Sequence, residues 1–295
     1  MASLKEVKTR IASVNSTRKI TSAMKMVASS KLHKAQQSIE NMRPYQSRLD
    51  RMTATFVSRL DGDVTSPYAQ QREVRKVAIV VYTSNSSLCG AFNANVIKSF
   101  RKKLQTYREQ GASVVAVYPL GRKAADAARK EGFSDFPDRS SLLDHPAYPV
   151  AAEIAAEIMS AYEEGHLDHV DLIYHRFQSV SKQVLTEDVF LPVSLEGDAG
   201  ESEGEGKTEG YRDNYIVEPT IEALLDQLIP KTLHLKIYTA LLDSLASEHA
   251  ARVIAMQVAT DNADELLRQL TLTYNKTRQQ AITTELLDIV GGSMQ

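Results

Sequence analysis

The chain carries one cysteine, Cys89, and no tryptophan. A lone thiol cannot close a disulfide within the chain, so packing alone must hold the fold, and a reducing, cytosolic setting is expected. No apolar run approaches the roughly 20 residues that span a bilayer. The opening stretch MASLKEVKTR has no apolar core behind its charges, so neither anchor nor signal peptide is expected. Any link to a membrane has to run through other proteins. Acidic residues are missing from one long stretch, between Val7 and Ile39, and residues 1–60 hold twelve Lys or Arg against Glu6, Glu40 and Asp50. The formal net charge of -2 conceals this imbalance. A segment so cationic suits an acidic partner surface or nucleic acid, or is simply a solvated basic face. Aromatic residues are absent from positions 1–44, which leaves no platform for base stacking and counts against nucleic acid.

What is present is helical periodicity at both ends. About sixty residues at the N-terminus and about seventy-five at the C-terminus read as helices which, at ~1.5 Å per residue, reach roughly 85 to 100 Å. Ser3 and Glu6 suit a capping box. Leu4, Val7, Ile11 and Val14 then open a heptad seam. One row continues as Thr21, Ala28, Ala35 and Met42, and the other passes through Arg18 and Lys25 before Leu32 and Ile39. Between residues 18 and 27 the apolar stripe slips to Ile20, Ala23, Met24 and Val27, so the helix is expected to turn charge outward there. Pro44 should kink the rod without ending it. Small and hydroxylated residues at Ser13, Ser16, Thr17, Thr21, Ser22, Ala28, Ser29 and Ser30 suit either a low-friction surface or close helix packing. The second helix is expected to begin near Pro219, to bend at Pro230 and to stop at Gly291 and Gly292. Its last turns, with Ile282, Leu286, Leu287, Ile289 and Val290, are more apolar than a free helix end should be, which marks a contact site.

Between the helices, residues 61–71 with Gly62 and Pro67 read as a linker. Val77 to Tyr82 is a β-branched run typical of a buried parallel strand. Helix 93–110, strand 114–118, helix 122–131, helix 150–164 and strand 170–177 repeat the alternation of an open sheet flanked by helices. One or two further strands fall in 183–195, and residues 196–210, with five Gly and six acids against Lys207, read as a solvated loop. The fold class is therefore α/β. A long antiparallel coiled coil of N-terminal (1–60) and C-terminal (218–295) helices carries a central Rossmann-like open-sheet domain (72–217).

Chemistry is sparse. The turn from Ser84 to Asn93 stands where a phosphate loop would, but it has neither the G-x-G-x-x-G glycines nor a Walker lysine. Cys89 has no histidine nearby in sequence to activate it. His166, His169 and His175 cluster in sequence without a cysteine to join them, so no metal site is expected. No catalytic residue, cofactor or metal is assigned.

Several runs carry a resemblance. Ile11-Ala12-Ser13-Val14, Thr17, Lys19-Ile20-Thr21, Ala23 to Ala28 and Arg43-Pro44-Tyr45 form one motif set at the N-terminal end, and Ala246 to Arg252, Ala259 to Ala263, Tyr274 to Gln279, Ile282-Thr283 and Glu285-Leu286 form a second, separate set at the C-terminal end. Leu88 to Asn93 and Arg176-Phe177-Gln178 add to them from the middle. Together they resemble the gamma subunits of F-type ATP synthases over nearly the whole chain. Asn85-Ser86-Ser87 departs from the Asp-Arg-Gly run usual in that family. The resemblance implies a rotor shaft inside a ring of alpha and beta subunits, whose beta subunits hold the catalytic nucleotide sites. It implies a foot meeting the epsilon subunit and the membrane c-ring, at the cytoplasmic face of a bacterial inner membrane. It puts Met24 and Lys25 against an acidic lever of a beta subunit, and Glu248, Arg252, Arg278, Gln279, Thr283 and Glu285 in shaft and bearing contacts. Arg43, Tyr45 and Tyr215 fall in the foot. With Cys89 alone, the regulatory cysteine pair of the chloroplast form is absent.

Overall fold

The computed structural model describes residues 4–57, 66–193 and 217–293. Ser3, residues 61–65 of the linker, the acidic segment 196–210 and Tyr215 lie outside the described residues. Helix α1 runs Leu4–Val57 and helix α6 runs Ile221–Ser293, each continuing past its internal proline, Pro44 and Pro230. A proline removes one backbone bond. The turns around both are packed into the core, with Met42, Leu49 and Phe56 on one side and Leu228, Ile229 and Leu233 on the other.

Two expected boundaries of α6 are corrected. The helix starts at Ile221, after Pro219, because Thr220 caps it: the Thr220 Oγ1 accepts the Ala223 amide at 3.3 Å. At the far end Gly291 and Gly292 do not stop it, since the helix continues to Ser293. A glycine costs a helix only about 1 kcal/mol.

The helices pair antiparallel. Arg18 meets Asp264 and Lys25 meets Gln257, so seven residues forward on α1 are seven back on α6. Val7, Thr21, Ala28, Leu32 and Ile39 are buried along the seam against Leu270, Ala263, Met256, Ala250 and Ala246 of α6. Carrying the register on, Leu4 stands level with Arg278. Beyond that level, among the described residues, α6 runs alone for about 20 Å at ~1.5 Å per residue, and every described side chain from Arg278 onward is exposed.

The middle of the chain supplies β1 (Lys76–Tyr82), α2 (Phe92–Glu109), β2 (Ser113–Leu120), α3 (Arg122–Lys130), the short α4 (Ser141–Asp144), α5 (Tyr148–Glu163), β3 (His169–Phe177) and β4 (Gln183–Leu191). The sheet order is β2-β1-β3-β4, with β1 parallel to both neighbours and β4 antiparallel to β3. β1 is buried on both faces, as its unbroken β-branched run requires. Val77, Ile79 and Val81 pack towards α2 and α3. Ala78, Val80 and Tyr82 pack towards α5 and the base of α6, from Leu225 to Leu245. The lower part of the shaft is thus one layer of the α/β domain rather than a rod fixed beneath it. Gly121 is needed at the β2–α3 turn, where its φ is +114° and a Cβ would come within 2.4 Å of the Thr83 carbonyl oxygen.

Candidate partner-contact surface on the helix pair

The interruption of the seam by cations is met by α6. Arg18 Nη1 donates to Asp264 Oδ1 at 2.9 Å, with both side chains about half exposed. Lys25 Nζ donates to Gln257, whose amide nitrogen in turn donates to Asp261 at 2.6 Å. Between them Thr21 and Thr260 share a hydroxyl contact of 2.8 Å. The expectation that Arg18 and Lys25 simply turn outward is corrected: both lie along the flank of the pair, held by α6 side chains. Their alkyl stems cover the seam while the charges stay wet. Thr21 and Ala28 also leave the proposed sliding surface, because both are buried in the seam, and Ser29 and Ser30 remain exposed.

Around this stretch the surface is apolar where a lone coiled coil would be polar. Ile20 is 60% exposed, Met26 67% and Val27 58% on α1, with Val258 at 53% on α6, while Met24 is half-buried. The solitary tip of α6 repeats the pattern with Ile282, Leu286, Leu287, Ile289 and Val290, all at least 49% exposed. Arg278, Gln279, Thr283 and Glu285 are exposed beside them. Exposed apolar groups are thus gathered at two levels of one rod.

Glu248 and Arg252 differ from these in being buried within the chain. They are 6% and 9% exposed, and Arg252 Nη1 donates to Glu248 Oε1 at 2.6 Å. Arg252 Nη2 reaches the turn after β1, donating to Ser86 Oγ at 2.9 Å and to the Ser86 and Ser87 carbonyl oxygens at 3.5 Å. Burial pushes the Glu248 carboxyl above its ordinary range, with the Arg252 guanidinium pulling the other way. The pair is an internal joint. Sequence reasoning missed Ser86 as its acceptor; the serines standing where the family has Asp-Arg-Gly were the available signal.

At the neck, Arg43 donates to the Phe177 carbonyl oxygen at 3.3 Å and Ser247 to that of His175 at 3.2 Å. Asp243 is raised to about 6 by burial, with Arg43 and Arg176 opposing. His175 and His249 are both lowered to about 4 by burial. Tyr45 is 51% exposed on the outside of α1.

The Ser84–Asn93 turn uses its polar groups on itself. Asn93 Oδ1 accepts the Ser84 amide at 3.0 Å, and its Nδ2 donates to Ser84 Oγ at 2.8 Å and Cys89 Sγ at 3.1 Å. Leu88 holds a left-handed backbone, φ 68°, with its side chain 59% exposed. A cleft of about 250 Å³ beside the turn, lined by Cys89, Phe92, Asn95, His175, Gln183 and Ile254, offers no cation to a phosphate. The three clustered histidines are dispersed: His166 sits beside Glu164, His169 bonds Asp171 at 3.2 Å, and His175 stacks on Phe92 with ring centroids 4.6 Å apart.

Comparison with known proteins agrees with this geometry. A sequence model of the family described as ATP synthase matches residues 3–294. The ATP synthase gamma chain of Phocaeicola vulgatus is 53% identical over 294 residues, and that of Bacteroides fragilis 54%, each covering all of both chains. A chain in the Euglena gracilis mitochondrial ATP synthase, from a structure of its OSCP/F1/c-ring assembly, superposes with a TM-score of 0.59 at 21% identity, covering 99% of this chain and 93% of that one, which shows the shared fold. The chain belongs to the ATP synthase gamma chain family.

Proposed function

We propose that this chain is the central rotor shaft of a bacterial F-type ATP synthase. It couples ion-driven rotation of a membrane c-ring to conformational cycling of the catalytic beta subunits without holding a nucleotide site of its own. One observation carries this reading: α6 outruns α1 and bares a wholly exposed, apolar tip, while a second exposed apolar level surrounds Ile20, Met26, Val27 and Val258. A rod wetted at two heights needs a sleeve around it. The alpha and beta subunits would supply that sleeve, with Arg278, Gln279, Thr283 and Glu285 at the upper bearing and Met24 and Lys25 facing a beta lever below. The α/β domain, with Arg43, Tyr45 and Tyr215, would be the foot on the epsilon subunit and the c-ring. No helix among the described residues is long and apolar enough to cross a membrane, so we place the chain peripherally, at the cytoplasmic face of the inner membrane.

The mechanism needs asymmetry more than strength. To drive a beta subunit from 1:99 to 99:1 between two shapes, contacts with the shaft must differ by about 5.5 kcal/mol between orientations. One half-exposed pair such as Arg18–Asp264 supplies at most about 1 kcal/mol. Steric exclusion by a lopsided rod, two helices thick below and one above, supplies the larger share. The test is to co-express the chain with the alpha and beta subunits of its own synthase, isolate the complex and follow a bead fixed to the foot. Unidirectional rotation on ATP hydrolysis is expected. A complex that assembles and hydrolyses ATP with the chain left stationary overturns the proposal.

A further inference from the structure

Resting on the rotor reading, we infer that a collar of directional hydrogen bonds, centred on Arg252, is where the turning force of the α/β domain enters the shaft. Three shaft side chains reach oxygens at the carboxyl ends of the two central parallel strands. Arg43 of α1 reaches the Phe177 carbonyl, Ser247 of α6 the His175 carbonyl, and Arg252 of α6 the Ser86 and Ser87 oxygens just past β1. They sit where the shaft leaves the domain. Below, from Leu225 to Leu245, α6 is buried in the apolar core. Above Arg252, α6 pairs with α1 through contacts such as Gln257 with Lys25 and Asp264 with Arg18.

Apolar burial is non-directional and fixes where a helix lies more firmly than how far it has turned about its own axis. Hydrogen bonds weaken steeply with angle and fail within a few tenths of an ångström, so they fix that turn. Arg252 suits the task better than a lysine would. One planar fork holds a buried carboxylate with one nitrogen and three oxygens of a neighbouring turn with another. The turn it grips is stiff: Asn93 and Ser84 lock it from within, and Asn85 ties it to α4 through the Ser140 carbonyl at 2.8 Å. A displaced foot would therefore pull on Arg252 directly. Glu248 and Arg252 are positioning residues in this scheme and Ser86 is their anchor.

The assembled complex tests it, with spin labels on introduced cysteines; Cys89 is buried and stays in place. One pair spans the collar, Lys130→Cys on α3 with Lys19→Cys on α1. A second pair, Lys130→Cys with Lys102→Cys, lies inside the domain. With Arg252→Met the spanning distance distribution should widen by about twofold while the internal one stays narrow. Ser86→Ala, which removes a single acceptor and leaves the Glu248 pair intact, should give a smaller widening in the same direction, and Arg252→Lys an intermediate one. Proton pumping should fall while ATP hydrolysis is retained. Equal widening of both pairs would mean general loosening, and no widening in either Arg252→Met or Ser86→Ala would mean packing alone carries the load; each overturns the inference. If Arg252→Met does not fold, the Ser86→Ala and Arg252→Lys distributions decide it. A wild-type complex that fails to rotate would count against the rotor reading instead, leaving the label distances to judge the collar separately.

Discussion

Thr21 and Thr260 face each other across the helix pair with hydroxyl oxygens 2.8 Å apart, between the Arg18–Asp264 and Lys25–Gln257 contacts. Each hydroxyl also lies within reach of a carbonyl on its own helix, that of Arg18 for Thr21 at 3.0 Å and that of Met256 for Thr260 at 2.8 Å, so the two hydroxyl protons serve two of the three contacts at a time. Losing one hydroxyl therefore orphans nothing. Thr21→Val should cost at most about 1 kcal/mol in chemical denaturation, and Thr21→Val with Thr260→Val should cost less than the two single changes added together. The function of the contact is register, because the threonines are matched only when Arg18 is level with Asp264. Disulfide trapping of cysteines placed at Arg18 and Asp264 should become less selective against neighbouring pairs in the double variant, and unchanged selectivity would assign register to the apolar seam.

Lys25 is engaged with Gln257, and through it with Asp261. Lys25→Glu would set a carboxylate beside that chain and remove the cation from the level of the exposed Met26 and Val27. Because the site is partly solvated, the chain's own stability should fall by no more than about 1 kcal/mol. Coupling of hydrolysis to proton pumping should fall well beyond what that loss explains, with assembly intact. Lys25→Gln separates contact from charge: a coupling defect confined to the reversal points to repulsion, and equal defects point to the lost hydrogen bond. Pumping that survives both removes Lys25 from the coupling path.

The long helices and the strand rhythm were legible because burial imposes a period on them: 3.5 residues along a seam, continuous apolar runs in a parallel sheet. Val77 to Tyr82 reads as a two-sided buried strand and is one. The ends of α6 were not legible in the same way. Pro219 looked like a first turn, while the hydrogen bond from Ala223 to Thr220 chose the start. The glycines looked like a stop, although a helix tolerates them at small cost. The apolar tip was legible: Ile282, Leu286, Leu287, Ile289 and Val290 are more apolar than a free helix end should be, and all are at least 49% exposed. The inward roles of Glu248 and Arg252 could not be read, because the Ser86 they reach is 166 positions from Arg252 in sequence and meets it only once β1 packs against α6.

Acid should weaken the fold through the neck. His175 and His249 titrate near 4 when folded, against an ordinary value of 6.5. Unfolded chains therefore bind more protons between about pH 6.5 and 4, and stability falls as pH falls through that window. Asp243 works in the opposite sense. Its carboxyl, raised from 3.8 to about 6, takes up its proton earlier in the folded chain, and stability is gained as pH falls from about 6 towards 4. Asp243→Asn should thus raise stability at pH 7 by about 1–3 kcal/mol and steepen the loss on acidification, since the histidines then act without Asp243 opposing them. Denaturant midpoints at pH 7 and pH 5 check both signs, and a variant less stable than wild type at pH 7 would show that Arg43 and Arg176 outweigh burial at Asp243.

The apolar tip of α6 separates stability from assembly. Its described side chains beyond Arg278 are all exposed, so they add little to the fold of the chain by itself. Truncation after Arg278 should leave the denaturation midpoint of the isolated chain within about 0.5 kcal/mol of wild type. The same truncation should weaken capture of the chain by the alpha and beta subunits and lower the ATP hydrolysis rate of complexes that still form. Restoring length with a polar helix, by changing Ile282, Leu286, Leu287, Ile289 and Val290 to Gln, distinguishes reach from stickiness. A bearing that needs only a rod would accept the polar helix, whereas one that needs apolar burial would fail with it as with the truncation. Five aliphatic side chains, each worth about 1.5–3 kcal/mol when fully buried, make the second outcome the expected one, measured as the fraction of complexes that retain the chain through gel filtration.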